Sequence, residues 1–232
     1  MKLNKLAIIG TTLFLTSTMA AAELELSGNV SLNSDYMFRG VSQTDNSPAI
    51  QGGFDATYGG FYAGTWASNV DSNFYAGANM EWDFYAGYGG EIGETGISYD
   101  LGWLLYYYPG TRFNDNNTHE FHVGVGYDFG GASVGYTLNY SDDFYGLQEA
   151  IYHNMSLDIP LGEDFTFSAH YGITDFDNDT LGDDYEDMSL GLSTSLAGFD
   201  VSVTWVDNSG ATAASTSNLY DDRIVLSVGK SF

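Results

Sequence analysis

The sequence predicts an all-β protein, a single antiparallel transmembrane β-barrel of about 12 strands with short periplasmic turns and long external loops. Three observations predict this fold. The chain begins with an export signal, most of the remaining sequence alternates between apolar and polar residues with a period of two, and the connections between alternating segments are by turns long and short.

Residues 1–22 have the features of a cleaved signal peptide. Lys2 and Lys5 precede an apolar run from Leu6 to Leu15, and three alanines stand before Glu23. A membrane-anchoring helix is the alternative, but it needs about 18 or more apolar residues, and this run is shorter. We therefore expect residues 23–232 to form the mature barrel as one domain, exported by a Gram-negative bacterium to its outer membrane.

Charge and cysteine content exclude several classes of function. The chain has 31 acidic residues and 6 basic ones, and two of the basic residues, Lys2 and Lys5, lie in the predicted signal. Nucleic acid is not an expected partner, because phosphate binding needs clustered Lys and Arg. The chain has no cysteine, so it has neither disulfides nor thiolate metal sites, and no cofactor is expected.

The first segment, 24–39, shows the alternation most clearly. One predicted face carries Leu24, Leu26, Gly28, Val30, Leu32, Ser34, Tyr36 and Phe38, and the other carries Glu25, Ser27, Asn29, Ser31, Asn33, Asp35, Met37 and Arg39. A tilted transmembrane strand needs about 9 to 11 residues, and this segment is long enough.

Further alternating segments follow along the chain. They lie near 49–58, 61–69, 79–88, 96–107, 118–128, 132–140, 149–159, 164–173, 186–196, 199–206 and 222–232. With the first segment they make an even number of strands, which is the rule for bacterial single-chain barrels. Aromatic residues on the apolar face, including Tyr36, Phe38, Tyr88, Trp103, Tyr107 and Trp205, are expected to form interfacial girdles.

A soluble barrel or sandwich would also alternate, with its apolar face pointing inward. The connections favour the membrane alternative. Long connections are predicted at 39–48, 70–78, 108–117, 141–148, 174–185 and 207–221, and the shorter ones between them fall at the opposite end of the barrel. If the amino terminus is periplasmic, the long loops are all external.

The carboxyl-terminal strand ends at Phe232 after alternating apolar residues. It is similar to the strand by which barrel-assembly machinery accepts outer-membrane proteins, so that machinery is an expected partner, with outer-membrane lipid and lipopolysaccharide. Lys230 departs from the pattern, because an apolar residue is commoner there. The strand pattern leaves the oligomeric state open.

Several stretches resemble the TorF family of proteobacterial porin-like proteins. They are SDYMFRGVSQ at 34–43, PAIQGGFD at 48–55, GFYAGTWASNV at 60–70, EWDFYAGY at 81–88 and LSVGKSF at 226–232. The resemblance covers most of the mature chain and is strongest in its first third. It implies an outer-membrane barrel of porin type.

For such a barrel we expect a channel for small, preferentially cationic or neutral solutes. The predicted pore-lining residues are the inward carboxylates together with one inward arginine: Asp35, Asp55, Glu81, Asp83, Asp100, Glu120 and Arg39. Rings of carboxylates favour cations. Arg39 could hold a constriction by bidentate pairing with a carboxylate, or it could be an exposed loop arginine.

An acidic stretch near the end of the chain has partial calcium-loop spacing. Asp175, Asp177, Asp179, Asp183 and Glu186 occupy oxygen-ligand positions, but Thr180 stands where the loop needs glycine. We expect an ordinary acidic loop, with a metal site at Asp175, Asp177, Asp179 and Glu186 as the alternative.

Two other functions remain open. Some outer-membrane barrels hydrolyse lipids with a Ser and a His, and here Ser168 and His170 share a strand face, but no third residue or oxyanion donor can be named. We therefore expect a protein that is not an enzyme. A closed barrel with a structural or ligand-binding role is the remaining alternative.

Overall fold

The computed structural model describes residues 23–112, 117–146, 148–177, 183–210 and 218–232, and the predicted signal 1–22 lies outside them. The strands are β1 Glu25–Asn33, β2 Met37–Phe38, β3 Val41–Ser42, β4 Ala49–Tyr58, β5 Phe61–Asn69, β6 Met80–Glu91, β7 Ile97–Tyr107, β8 Thr118–Asp128, β9 Ser133–Phe144, β10 Gln148–Leu161, β11 Phe165–Phe176, β12 Tyr185–Leu196, β13 Phe199–Ser209 and β14 Arg223–Ser231. A turn of 3₁₀ helix covers Asn218–Tyr220. Among the described residues, no helix is long and apolar enough to cross a membrane.

Within the described residues, twelve strands close into an antiparallel barrel, which confirms the predicted fold. Each strand from β4 to β14 pairs with the next in the chain, and β1 pairs with both β4 and β14. Strands β2 and β3 form a small separate hairpin within the connection 34–48. The twelve predicted segments correspond to the twelve barrel strands.

The apolar face of the barrel wall points outward. Leu26 is 74% exposed, Phe54 64% and Ile224 64%, although leucine, phenylalanine and isoleucine are normally buried in a soluble protein. The residues that alternate with them face the interior. This distribution is the reverse of a soluble barrel and fits a wall that contacts lipid.

The barrel closes where its two terminal strands meet. The backbone groups of Gly28 and Phe232 exchange two hydrogen bonds of 2.9 Å, and the ring of Phe232 packs edge-on against Phe54 at 6.4 Å. A side chain at Gly28 would collide with the Phe232 ring. The ammonium nitrogen of Lys230, the departure from the terminal pattern, lies 5.2 Å from the ring centroid of Phe199, within the range of a cation–π contact.

The connections sort to two ends. One end, here called the loop end, carries the connections 34–48, 70–79, 108–117, 145–147, 177–184 and 210–222. The other, here called the turn end, carries 59–60, 92–96, 129–132, 162–164 and 197–198, together with the start of β1 and the end of β14. The predicted long loop at 141–148 is wrong: β9 and β10 continue to Phe144 and from Gln148. Backbone pairing continues there because it does not require apolar side chains.

The first strand is shorter than predicted. It ends at Asn33, and the chain then turns into the barrel, where Tyr36 is buried and Phe38 is partly buried. The placement of these two aromatics on the outward face is therefore wrong. The side chain of Asp35 causes the turn, because it accepts hydrogen bonds from Ser42 and Thr44 across the β2–β3 hairpin.

Candidate functional site

The candidate site is the interior of the barrel, because the predicted pore-lining residues all lie on its inward side. Asp35, Arg39, Glu81, Asp83, Asp100 and Glu120 are buried and Asp55 is half-buried. Alternation on β6, β7 and β8 places the carboxylates, since their neighbours in sequence, such as Trp82, Leu101 and Phe121, are exposed on the outer face.

The base of the connection 34–48 is held firmly against the barrel. One carboxylate oxygen of Asp35 accepts hydrogen bonds of 2.7 Å from Ser42 and from Thr44, and the other forms an ion pair of 2.8 Å with Arg223. Since Arg223 begins β14, this residue joins the loop to the barrel wall. The carboxylate has partners on both oxygens, which offsets the cost of its burial.

A second set of contacts joins the same base to the connection 70–79. Gln43 accepts a short hydrogen bond from the hydroxyl of Tyr75, and its carbonyl accepts one of 2.8 Å from the amide of Asp71. Tyr36 donates to Glu81 on β6 at 2.8 Å. The loop is thus bonded to the wall and to a neighbouring loop at once.

The tip of the loop is Arg39 with Gly40, and it reaches across the interior. Arg39 forms an ion pair with Glu120 on β8, and its guanidinium carbon lies 4.0 Å from the ring centroid of Tyr152 on β10. Gly40 lies against Asp187 on β12 and Asn208 on β13. The exposed-loop alternative for Arg39 is therefore wrong, because the residue is buried inside the barrel against β8 and β10.

The pairing of Arg39 differs from the bidentate geometry considered from the sequence. A single contact, from Nη2 to Oε2 of Glu120, makes the ion pair, and Nη1 is buried with no hydrogen-bond partner among the described residues. The backbone at Arg39 has φ 47° and at Gly40 φ 75°, both left-handed. Glycine adopts this conformation freely but arginine does not, so the turn constrains how the guanidinium meets the carboxylate.

Aromatic rings fill the space beneath the loops. The buried cluster consists of Tyr36, Ala49, Val70, Tyr75, Ala78, Tyr106 and Tyr108, with Phe38, Trp66, Leu104 and Tyr145 packed against it. Tyr75 and Tyr108 stack with ring centroids 4.3 Å apart. Burial raises the pKa of both hydroxyls well above the ordinary tyrosine range, so they stay protonated and can donate.

Two similar polar clusters line the wall, and the sequence did not reveal them. In the first, the hydroxyl of Tyr62 lies 3.0 Å from Asp100 and 3.2 Å from His122, which also bonds to Asp100. In the second, the hydroxyl of Tyr152 lies 3.1 Å from Asp187 and 3.0 Å from His170. His170 lies 2.8 Å from Asp187.

Glycines explain how these tyrosines lie against the wall. A side chain at Gly87 would overlap the Tyr62 ring, and one at Gly172 would overlap the hydroxyl of Tyr152. Each ring therefore lies across a glycine of the neighbouring strand and reaches an aspartate two strands away. In the sequence, such a cluster is indicated by an inward tyrosine whose neighbour on the next strand is an inward glycine. Identifying that neighbour requires the register in which the two strands pair.

The interior divides into two parts. In the loop half, inward residues near the loop end are buried, among them Gln51, Ser68, Glu81, Thr118, Glu120, Ser141, Gln148 and Asp187. In the turn half, inward residues near the turn end are exposed or half-buried, among them Glu25, Ser27, Ser98, Asp128, Asp158, Ser195 and Ser231. The interior is thus open to solvent from the turn end and filled towards the loop end.

The residues considered for catalysis do not form a nucleophile and base pair. The hydroxyl of Ser168 donates to Asp158 at 2.6 Å, and His170 is held by Asp187 and, at 3.0 Å, by Asn154. Both side chains face the interior. A lipid hydrolase needs its serine bonded to the histidine and directed at lipid.

The calcium-loop candidates are divided between strands and a connection. Asp175 lies on β11 and Glu186 on β12, Asp177 lies in the connection between them, and Asp179 falls outside the described residues. Asp175 lies 3.3 Å from His153. Among the residues that the structure describes, no group of three or more His, Cys, Asp or Glu is arranged to hold a metal ion.

Solved structures with a similar fold are outer-membrane porins and channels. KdgM porin is 11% identical with a TM-score of 0.61, over 89% of this chain and 99% of that one. NanC porin is 10% identical with a TM-score of 0.59, over 88% and 98%. The COG4313 outer-membrane channel from Pseudomonas putida F1 is 9% identical with a TM-score of 0.52, over 93% and 97%. At these identities the likeness shows the fold.

Comparison of sequences gives the family. No curated protein matches the chain. The family whose model matches residues 17–232 is described as a bacterial protein of unknown function, Gcw_chp, and this match does not confirm the TorF resemblance. Because the match covers nearly the whole chain, this barrel belongs to the Gcw_chp family.

Proposed function

We propose that the protein is an outer-membrane channel through which small solutes diffuse, with a preference for cationic or neutral ones. The observation that carries this proposal is the pair of faces of the closed barrel: the outer face is apolar and exposed, and the inner face is polar and acidic. A wall of this kind is stable in a bilayer while it encloses water-compatible space.

The charge of the inner face supports the preference for cations. Inward carboxylates that keep contact with solvent include Glu25, Asp55, Asp128 and Asp158, while the inward arginines Arg39 and Arg223 are each already paired with a carboxylate. The unneutralised carboxylates attract cations and repel anions. A neutral solute meets no comparable barrier.

The passage is narrow at the loop half. A twelve-strand barrel is intermediate between eight-strand barrels, which side chains fill, and porins of about 16 strands, which hold open channels. Here the loop tip and the aromatic cluster occupy part of that intermediate space. Solutes would therefore enter the turn half freely and would be selected where the tip of the loop 34–48 crosses the barrel.

Localisation and partners follow from the same fold. We infer export with cleavage after residue 22, insertion by the barrel-assembly machinery, and an orientation with the loop end outside. The outer wall would contact lipid and lipopolysaccharide. The acidic outward residues above the apolar band, such as Glu149, Asp175 and Glu186, would then face the lipopolysaccharide head groups.

Single-channel recording tests the proposal. The refolded mature protein is placed in a planar bilayer under a potassium chloride gradient, where we expect discrete openings and a cation-selective reversal potential. Asp55→Asn removes an inward carboxylate and should reduce the selectivity. Asp45→Asn removes an exposed loop carboxylate at a left-handed position that asparagine tolerates, so it should leave the selectivity unchanged.

A closed barrel is the second candidate, and the filled loop half favours it. Folded, inserted protein that gives no openings at any voltage would contradict the channel and support a structural or ligand-binding barrel. Anion-selective openings would keep the channel and contradict the role of the carboxylates.

A further inference from the structure

We propose that Glu120, Phe144 and Tyr152 form a binding site for a solute that bears a guanidinium or ammonium group. In the structure Arg39 occupies this site as a tethered stand-in, and a solute that takes its place releases the tip of the loop 34–48. The inference rests on the proposed channel function, since it names the solute class and the step that opens the passage.

The site already holds a guanidinium. The guanidinium carbon of Arg39 lies 4.0 Å from the ring centroid of Tyr152 and 5.5 Å from that of Phe144. Both distances are within the 6 Å or so over which a cation is attracted to an aromatic face. Glu120 supplies the countercharge, and the side chains of the ion pair are each 5% exposed. Desolvation on this scale strengthens both interactions.

The stand-in leaves hydrogen-bonding capacity unused. Nη1 of Arg39 is buried without a partner, and so are both amide atoms of Gln148. Gln148 is on β10 four residues before Tyr152, on the same inward face, and it pairs in register with Phe144. A free solute is not bound to a left-handed turn, so it can rotate to meet Glu120 with two parallel hydrogen bonds.

The loop is built so that its tip can leave while its base stays. Asp35 and Gln43 bind the base to Arg223 and Tyr75. Across the barrel, the tip is held by the ion pair of Arg39 and by a long contact of 3.5 Å from Asn208 to the Arg39 carbonyl, and the neighbouring Phe38 packs edge-on against Tyr106 at 5.5 Å. Displacing the guanidinium therefore removes the ion pair of the tip and leaves the base contacts in place.

Tethering sets the concentration that a solute needs. A group on a short flexible segment has an effective concentration on the order of millimolar, and a solute with the same head group must exceed it to compete. We therefore expect a small arginine-like solute to displace the Arg39 guanidinium at millimolar or higher concentrations. A solute that also makes hydrogen bonds to the buried groups without partners should bind more tightly.

Thiol labelling measures displacement independently of current. The chain has no cysteine, and Val41 is buried directly after the loop tip, so Val41→Cys introduces one protected thiol. The probe solute is L-arginine, and L-citrulline of the same shape without the charge is its control at equal ionic strength. We expect L-arginine to raise the labelling rate about fivefold or more and L-citrulline to leave it unchanged.

A second variant removes the stand-in. In Arg39→Ala with Val41→Cys, labelling should be fast without any solute and insensitive to L-arginine. An unchanged labelling rate of Val41→Cys at saturating L-arginine, in protein shown to be folded, would overturn the inference whether or not the barrel conducts. Accelerated labelling in a barrel that gives no current would support the site and contradict the channel function.

Discussion

In the loop half of the interior, inward side chains such as Glu81 and Glu120 are 1% and 4% exposed, whereas Glu25 and Asp128 in the turn half remain exposed. Glu120 and Asp128 even lie on the same strand, β8, with the same alternation along it. The difference comes from the segments that fold into the barrel, because the connection 34–48 and the aromatic cluster occupy the loop half. In the proposed channel, a loop and not the wall would therefore control passage.

The two halves also differ in how their charges are satisfied. In the loop half, Glu120 is paired with Arg39 and Glu81 accepts a hydrogen bond from Tyr36, whereas Oδ1 of Asp83 is buried without a hydrogen-bond partner among the described residues. In the turn half, Asp128 and Asp158 accept hydrogen bonds from neighbours but remain in contact with solvent. Buried charges must be paired, while hydrated ones need not be. A change of charge should thus have a larger effect in the loop half.

The largest effect is expected when the β2–β3 hairpin, which carries the loop tip, is removed. Replacing residues 37–42 with a short glycine linker keeps the base contact of Asp35 with Thr44 and removes the part of the loop that crosses the barrel. We expect the single-channel conductance to rise about threefold or more, because the narrowest part of the passage widens. The matched control is Glu94→Ala in a turn-end connection, which should leave conductance unchanged. An equal conductance in the two variants would show that the tip is not the constriction.

The next effect concerns the buried ion pair. Glu120→Gln leaves Arg39 without its countercharge, and keeping an unpaired charge buried costs about 3–5 kcal/mol. We expect the tip to swing into solvent instead, which exposes the bond after Arg39 to trypsin. Arg112 lies in an exposed loop and should be cut in every variant, so it calibrates the digestion.

The control for that digestion is a neutralised carboxylate of the turn half. In the structure the amide of Gly130 donates a hydrogen bond of 2.6 Å to Asp128. Asp128→Asn keeps an acceptor for this amide and should leave Arg39 protected from trypsin. If Glu120→Gln also leaves Arg39 protected, then the ion pair does not hold the loop tip.

A smaller effect is expected where Tyr62 lies flat across a glycine. Gly87→Ala places a methyl group against the Tyr62 ring and the backbone of Leu101, so either the ring or the strand must shift. Overpacking of this kind lowers the free energy of unfolding by about 1–3 kcal/mol. Urea unfolding in detergent, followed by the mobility shift of the folded barrel, measures it. Gly131→Ala is the control, because nothing lies within 4 Å of the added atom there. Equal stability of the two variants would contradict the packing of Tyr62.

The wall of this molecule could be predicted from the sequence because alternation has a local cause. Each exposed residue such as Leu26 or Leu226 implies that its neighbours face inward, so twelve strands and the inward side of Glu81 or Glu120 followed without any knowledge of pairing. Strand ends were less accurate, since β9 extends to Phe144, where Ser141 pairs with Ala150 and Phe144 with Gln148 across a shift of register.

The interior contacts could not be predicted, because they depend on register and on where the loop folds. Tyr36 follows a continuous alternating pattern and was placed outside, but the side chain of Asp35 turns the chain inward. Asp187 and His170 come together with Tyr152 only because three strands are in a particular register. The burial of Arg39 against Glu120, 81 residues later in the chain, has no local signature at all.

The smallest effect should come from a single carboxylate of the turn half. Asp158→Asn keeps the hydrogen bond from Ser168 and removes one charge that solvent already screens. Because the screening length is about 10 Å at 0.1 M salt and about 30 Å at 0.01 M, we expect the cation selectivity to fall slightly at low salt and not measurably at high salt. Reversal potentials recorded at both ionic strengths test this. A loss of selectivity that persists at high salt would mean that Asp158 acts on solutes by direct contact, and the selective region would then extend from the loop half into the turn half.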